Sequence, residues 1–141
     1  MSANGLTTIP SAFSVRETID RLERIVTSKG LRVFVRVDHA AGAAQVGLAL
    51  RPTELLLFGH PRGGTPLMQE RQTAGIDLPL KALAWEDAAG HVWLTSNEAG
   101  WLAQRHRLTA QSSAAVAALD AGQGAITLAA TAPSPPETVE P

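Results

Sequence analysis

A chain of 141 residues with 45% apolar and 18% charged side chains has the size and balance of one globular domain, not of a fibrous or disordered polypeptide. Its net charge is −1, and setting aside Glu137 and Glu140 near the C-terminus brings it only to +1, which excludes the basic footprint that nucleic-acid binding needs. Cysteine is absent, so disulfides, thiolate nucleophiles and Cys-type zinc sites are excluded as well. Three Trp, three Phe and no Tyr leave few platforms on which single-stranded bases could stack. The stretch "MSANGLTTIPSAFS" carries neither a basic n-region nor a sustained apolar h-region, and no apolar run reaches the roughly 18 residues of a membrane span. A cytoplasmic location with no membrane and no nucleic-acid partner is therefore expected.

In chain order, a first strand is expected over 5–10. "SVRETIDRLERIVTSK" (14–29) follows as a helix: Ser14 and Glu17 have capping-box spacing, and Val15, Ile19, Leu22, Ile25 and Val26 share one face. Gly30 suits the residue after the helix, where a left-handed backbone is needed. The other face, from Arg16 to Arg24, reads as a solvated mixed-charge surface. "LRVFVRV" (31–37) alternates, with Leu31, Val33, Val35 and Val37 inward and Arg32 and Arg36 on a wet face. The connection 39–52 leads into "ELLLFG" (54–59), apolar enough for a central strand. Thr65 reads as an N-cap with Pro66 in the first helical position, starting a helix that ends near Gly75.

"LPLKALAWEDAAGHVWLTS" (78–96) reads as a hairpin on a four-residue loop, Asp87 to Gly90. That loop would place Trp93 opposite Ala84 and Val92 opposite Trp85. Asn97 can cap a helix running through Trp101 to about Leu108. An alanine-rich helix is expected over 112–131, weakened at Gly122 and Gly124 by about 1 kcal/mol each. Residues 1–131 thus form the expected single domain, and the Pro-rich stretch 132–141 a disordered tail. Helices covering one face of a mostly antiparallel sheet give a two-layer α+β architecture, whose open face could meet a partner.

"PTELLLFGHPRGGTPLMQ" and "DLPLKALAWEDAAGHVWLTSN", with His39 ending a strand, resemble the family called "domain of unknown function 302". The likeness spans roughly residues 5–130. It implies a β-α-β(4)-α fold, grouped by shape with TATA-binding-protein-like folds, and assembly as a homodimer. The family's usual asparagine before the loop proline is His60 here, and its usual lysine after it is Arg62, which keeps the cationic charge. The resemblance brings no established activity.

The segment "GHPRGGTPLM" has two readings. Arg62, the glycines Gly63 and Gly64 and the helix start at Thr65 could form an anion site beside His60, or the stretch could be a turn closed by its own cap. It is neither a Walker motif nor a dinucleotide fingerprint. His39, Glu54 and Lys81 could meet as an acid–base cluster, or Glu54 and Lys81 could simply pair across strands. The histidines His39, His60, His91 and His106 lack metal-site spacing, so no metal and no cofactor is expected. His106, between two arginines, suits a helix C-terminus. No complete nucleophile–base–orienter set can be assembled, which leaves catalytic residues unassigned. The expected function is binding or sensing of a small polar or anionic ligand by a homodimer, at His39, Glu54, His60, Arg62, Gly63, Gly64, Thr65 and Lys81. An enzyme built on His39, Glu54 and Lys81, and a structural or partner-binding module, stand as alternatives.

Overall fold

A computed structural model describes residues 3–133. Five strands, β1 (Leu6–Ser11), β2 (Arg32–Asp38), β3 (Thr53–Gly59), β4 (Leu80–Glu86) and β5 (Val92–Asn97), form one antiparallel sheet in the order β1-β5-β4-β3-β2. The helices are α1 (Val15–Ser28), α2 (His39–Gln45), α3 (Pro61–Glu70), α4 (Ala99–Arg105) and α5 (Ser113–Thr131), with 3-10 turns at Gln72–Asp77 and Ala110–Ser112. This is the expected α+β two-layer fold. The proposed tail lies, from residue 134 onward, outside the described residues.

Helix α1 forms where its sequence dictates. Ser14 Oγ accepts the Glu17 N–H at 3.1 Å, although the Glu17 carboxylate turns away to Arg24 instead of completing the capping box. Gly30 at φ 75° ends the helix, with the Leu31 N–H returning to the Val26 carbonyl. The apolar stripe Val15, Ile19, Leu22 and Val26 is fully buried against Leu56, Phe58, Ala82, Ala84 and Leu94 on one face of the sheet. Burying each large aliphatic or aromatic side chain there contributes about 2 kcal/mol. Ile126 and Ala130 of α5 complete this core. Helix α5 runs unbroken through Gly122 and Gly124, because burial of Ile126 and Ala130 outweighs their propensity cost.

The polar side of α1 is not simply solvated. Arg21 donates to the Ala129, Ala130 and Ala132 carbonyls at the end of α5 and lies 4.1 Å over the Phe13 ring. Asp20 and Glu23 both receive Arg36. That contact corrects the expected facing of β2. A bulge at Phe34 shifts the register between Val33 and Val35, so Arg36 pairs beside Leu56 and turns toward the helices while Val35 and Val37 go to the open face. Strict alternation cannot survive one inserted residue.

The hairpin register also differs by one. Glu86 pairs with Val92 and Trp85 with Trp93, leaving a five-residue loop, Asp87 to His91. The Asp87 carboxylate closes it, accepting from the Ala89 and His91 N–H groups and from Trp93 Nε1. These bonds, that from Trp93 foremost, lower the Asp87 pKa. Helix α4 starts after Glu98, not Asn97, and stops at Arg105. Its start is capped from a distance by Asp120 of α5, which accepts from the Ala99 and Gly100 N–H groups at 2.6 and 3.1 Å. Glu70 at the end of α3 accepts from Ser112 Oγ and the Thr109 N–H, tying α3 to the start of α5.

Candidate functional site

Helix α3 starts five residues earlier than expected. His60 is its N-cap, Pro61 takes the first helical position, and Thr65 and Pro66 lie inside the helix, with Thr65 exposed. The imidazole Nδ1 of His60 accepts the Arg62 N–H at 3.0 Å, and the His60 carbonyl accepts the Gly63 N–H at 2.9 Å. The helix tolerates Pro66 by forgoing one backbone bond. Glycine disfavours helix, but Gly63 and Gly64 here permit close packing. A Cβ on Gly63 would stand 3.2 Å from Leu119 of α5, and one on Gly64 3.2 Å from Leu78. The backbone donors expected to face an anion are therefore satisfied by His60 itself.

What the α3 start leaves available is side-chain chemistry between two hollows. The smaller, about 260 Å³, is bounded by Phe34, His60, Thr65, Met68, Leu78, Pro79 and Leu119 and is largely apolar. The larger, about 490 Å³, lies between the end of α1, the start of α3 and one side of α5. Its polar wall is Lys29, His60, Arg62 and Gln123. Gly59, His60, Leu80 and Leu119 border both. His60 therefore stands between them, with Nδ1 committed to the cap and Nε2 on the far side of the ring.

The other expected site residues are placed elsewhere. His39 is exposed in the first turn of α2, which Asp38 caps through the Ala41 N–H. In the β2–β3 pairing Asp38 lies opposite Glu54, whereas Arg32 lies opposite Gly59. His39 and the α3 start therefore sit at opposite ends of these strands, roughly 20 Å apart for six residue steps. They share neither hollow.

Glu54 and Lys81 do not meet either. Glu54 pairs with Ala84 and shares the helix-covered face with Leu56 and Phe58, while Lys81 pairs with Leu57 on the open face. Glu54 is buried and accepts from Arg36 Nε at 3.0 Å. Burial disfavours the Arg36 charge, but its bonds to Asp20 and Glu54 more than offset this, and its pKa is raised. Lys81 Nζ donates to the Asp77 and Pro79 carbonyls, both at 3.1 Å, and burial lowers its pKa below the ordinary lysine value. The acid–base cluster of His39, Glu54 and Lys81 is not assembled.

A different triad is. His106 Nε2 meets Asp77 Oδ2 at 2.5 Å, and its Nδ1 lies 3.3 Å from Thr73 Oγ1, while Arg105 holds the same carboxylate at 3.0 Å. The order hydroxyl, imidazole, carboxylate is that of a nucleophile, base and orienter. Neither Thr73 nor His106 borders the two hollows beside His60, and the cluster fastens the Gln72–Asp77 turn to the end of α4.

Among the described residues no helix is long and apolar enough to cross a membrane. Two proteins named fluoride-specific ion channel FluC 1, from Brucella suis biovar 1 and Brucella abortus biovar 1, are each 53% identical to this chain over 124 residues. The matches cover 88% of this chain but 49% and 46% of those proteins, so the chain spans about half the length of the curated relatives it matches. A crystal structure of an uncharacterized conserved protein DUF302 from Bacillus stearothermophilus superimposes with a TM-score of 0.80 at 19% identity, covering 91% of this chain and 99% of that one. At that identity the likeness shows the fold. The model of the family described as "Domain of unknown function DUF302" matches residues 7–126, and the chain belongs to that family.

Proposed function

We propose that this domain binds a small molecule with an apolar body and an anionic group in the hollows on either side of His60, working as a cytoplasmic homodimer. The observation that carries this reading is the junction itself: His60 separates an apolar hollow from one walled by Arg62 and Lys29. Such concave, mostly apolar sites with a few polar groups are where small ligands bind. Arg62 supplies charge, His60 and Thr65 supply donors, and Gly63 and Gly64 let α3 lie close against α5 and Leu78. His39, Glu54 and Lys81 lie outside this site.

The homodimer reading is supported by the open sheet face, where Val35, Val37, Leu55, Leu57, Leu83 and Trp85 point away from the helices. Native mass spectrometry of the purified chain tests both parts. The expected spectrum shows a dimer carrying a small molecule that denaturation releases. Arg62→Ala is expected to weaken retention about fivefold, the effect of one exposed charge pair. A bare monomer, or retention unchanged by Arg62→Ala, would contradict the reading.

The FluC relatives favour a second reading at a different level. An ion path must cross the membrane, and among the described residues of this chain no helix is long and apolar enough to do so. The five-stranded sheet, covered on one face by helices, is open rather than closed into a barrel. On this reading the domain is the ligand-responsive attachment of an ion channel, whether the channel part belongs to the same polypeptide or to another.

A further inference from the structure

The wall of the larger hollow includes one buried side-chain amide. Gln123 of α5 is only 6% exposed and lines that hollow. Its Nε2 donates to the Asn97 carbonyl at 2.6 Å, which fixes the amide orientation, since a carbonyl can only accept. Its Oε1 is buried and receives no hydrogen bond from the described residues. A buried acceptor without a donor is costly and uncommon in folded proteins, and Gln123, the residue that carries it, lines the hollow from which a donor could come. Arg62 and Lys29 stand on the same hollow with positive charge, and His60 on its border.

We propose that the ligand is a small carboxylate that also carries a hydroxyl or amine, the carboxylate facing Arg62 and the O–H or N–H donating to Gln123 Oε1. This rests on the reading of the hollows as a ligand site and adds the chemical class. It makes the two ends of the ligand separately recognised. Charge alone would accept any small anion. The acceptor Oε1 repels a second carboxylate and rewards a donor, so it discriminates among anions by what else they carry.

Mandelate and phenylacetate differ only by one hydroxyl, and isothermal titration of the full chain with each enantiomer of mandelate and with phenylacetate tests the proposal. One mandelate enantiomer is expected to bind about tenfold more tightly than phenylacetate, as befits a new bond to an unsatisfied buried acceptor. Gln123→Met should remove that preference, bringing mandelate and phenylacetate to within about twofold of one another whatever the absolute affinity of the variant. Equal binding of both compounds to the unaltered chain would overturn the role of Gln123 and leave the hollow as an anion site. A preference that survives in Gln123→Met would overturn the assignment of the acceptor. Failure of all three compounds to bind at millimolar concentration would overturn the site as well. The comparison on the unaltered chain needs no variant, so a poorly folding Gln123→Met does not spare the proposal.

Discussion

Replacing Arg36 with alanine is expected to destabilise the domain by about 3 kcal/mol, measured as the shift in urea unfolding. Arg36 ties three carboxylates together. It bonds Asp20 at 2.6 Å, Glu23 at 3.2 Å and Glu54 at 3.0 Å, and Asp38 lies opposite Glu54 in the sheet. Its side chain is only 26% exposed and that of Glu54 only 9%, so solvent cannot take over the neutralisation. The variant would leave Glu54 desolvated and unpaired on the helix-covered face, and the carboxylates of α1 would repel it. Arg36→Lys should recover part of the loss, since charge returns but the fork that reaches three partners does not. Arg24→Ala is the internal comparison. It breaks an exposed pair with Glu17 and should cost less than about 0.5 kcal/mol. Equal losses in Arg36→Ala and Arg24→Ala would show that Arg36 is an ordinary surface charge.

The second large effect is expected at Gly5, just before β1. Its φ is 73°, and a Cβ there would stand 2.4 Å from the Trp101 ring and 2.8 Å from Trp101 Cβ. The Gly5 carbonyl meanwhile accepts the Glu98 N–H at 2.7 Å, holding the two segments together. Gly5→Ala must therefore bear a left-handed backbone and displace an indole anchored on α4. Left-handed strain and overpacking together give a loss of about 3 kcal/mol. Gly30 separates the two causes. It has φ 75° with nothing within 4 Å of an added Cβ, so Gly30→Ala should lose only about 1 kcal/mol. Thermal unfolding of both variants reads the difference. If they unfold together, the approach of Trp101 is not what fixes Gly5.

Local chemistry was legible in the sequence where neighbours in the chain are also neighbours in space. Ser14, Glu17, the apolar stripe from Val15 to Val26, and Gly30 all lie within one helix and its caps, and α1 is found within a residue of its expected bounds. Facing and register were less so. The bulge at Phe34 sends Arg36 inward although spacing alone sets Arg32 and Arg36 opposite Leu31, Val33, Val35 and Val37. The Asp87 carboxylate draws His91 into a loop that composition alone closes at Gly90.

The start of α3 was hidden by Gly63 and Gly64, whose poor helix propensity is outweighed by contact with α5 and Leu78. For the site, the stretch from His60 to Gly64 was identified as a candidate, yet the two hollows depend on α5. Gln123 reaches Asn97 across 26 residues, and His106 reaches Asp77 across 29. No spacing rule finds such pairs, because the sheet and helices must be assembled before those side chains meet. His39 was drawn to the site by its place at a strand end. Antiparallel pairing of β2 with β3 sends that end to the far side.

The central claim is that the hollows bordered by His60 are where this domain takes its ligand, and glycine amide resonances test it with little overlap. Gly63 and Gly64 lie in the first turns of α3, Gly122 lines the larger hollow from α5, and Gly42 and Gly47 lie in and after α2 near His39. In a nitrogen-15 spectrum titrated with phenylacetate and then mandelate, Gly63, Gly64 and Gly122 are predicted to move together and saturate at one dissociation constant, with Gly42 and Gly47 unmoved. Movement at Gly42 and Gly47 instead, or no saturable change at any of the five, would contradict it.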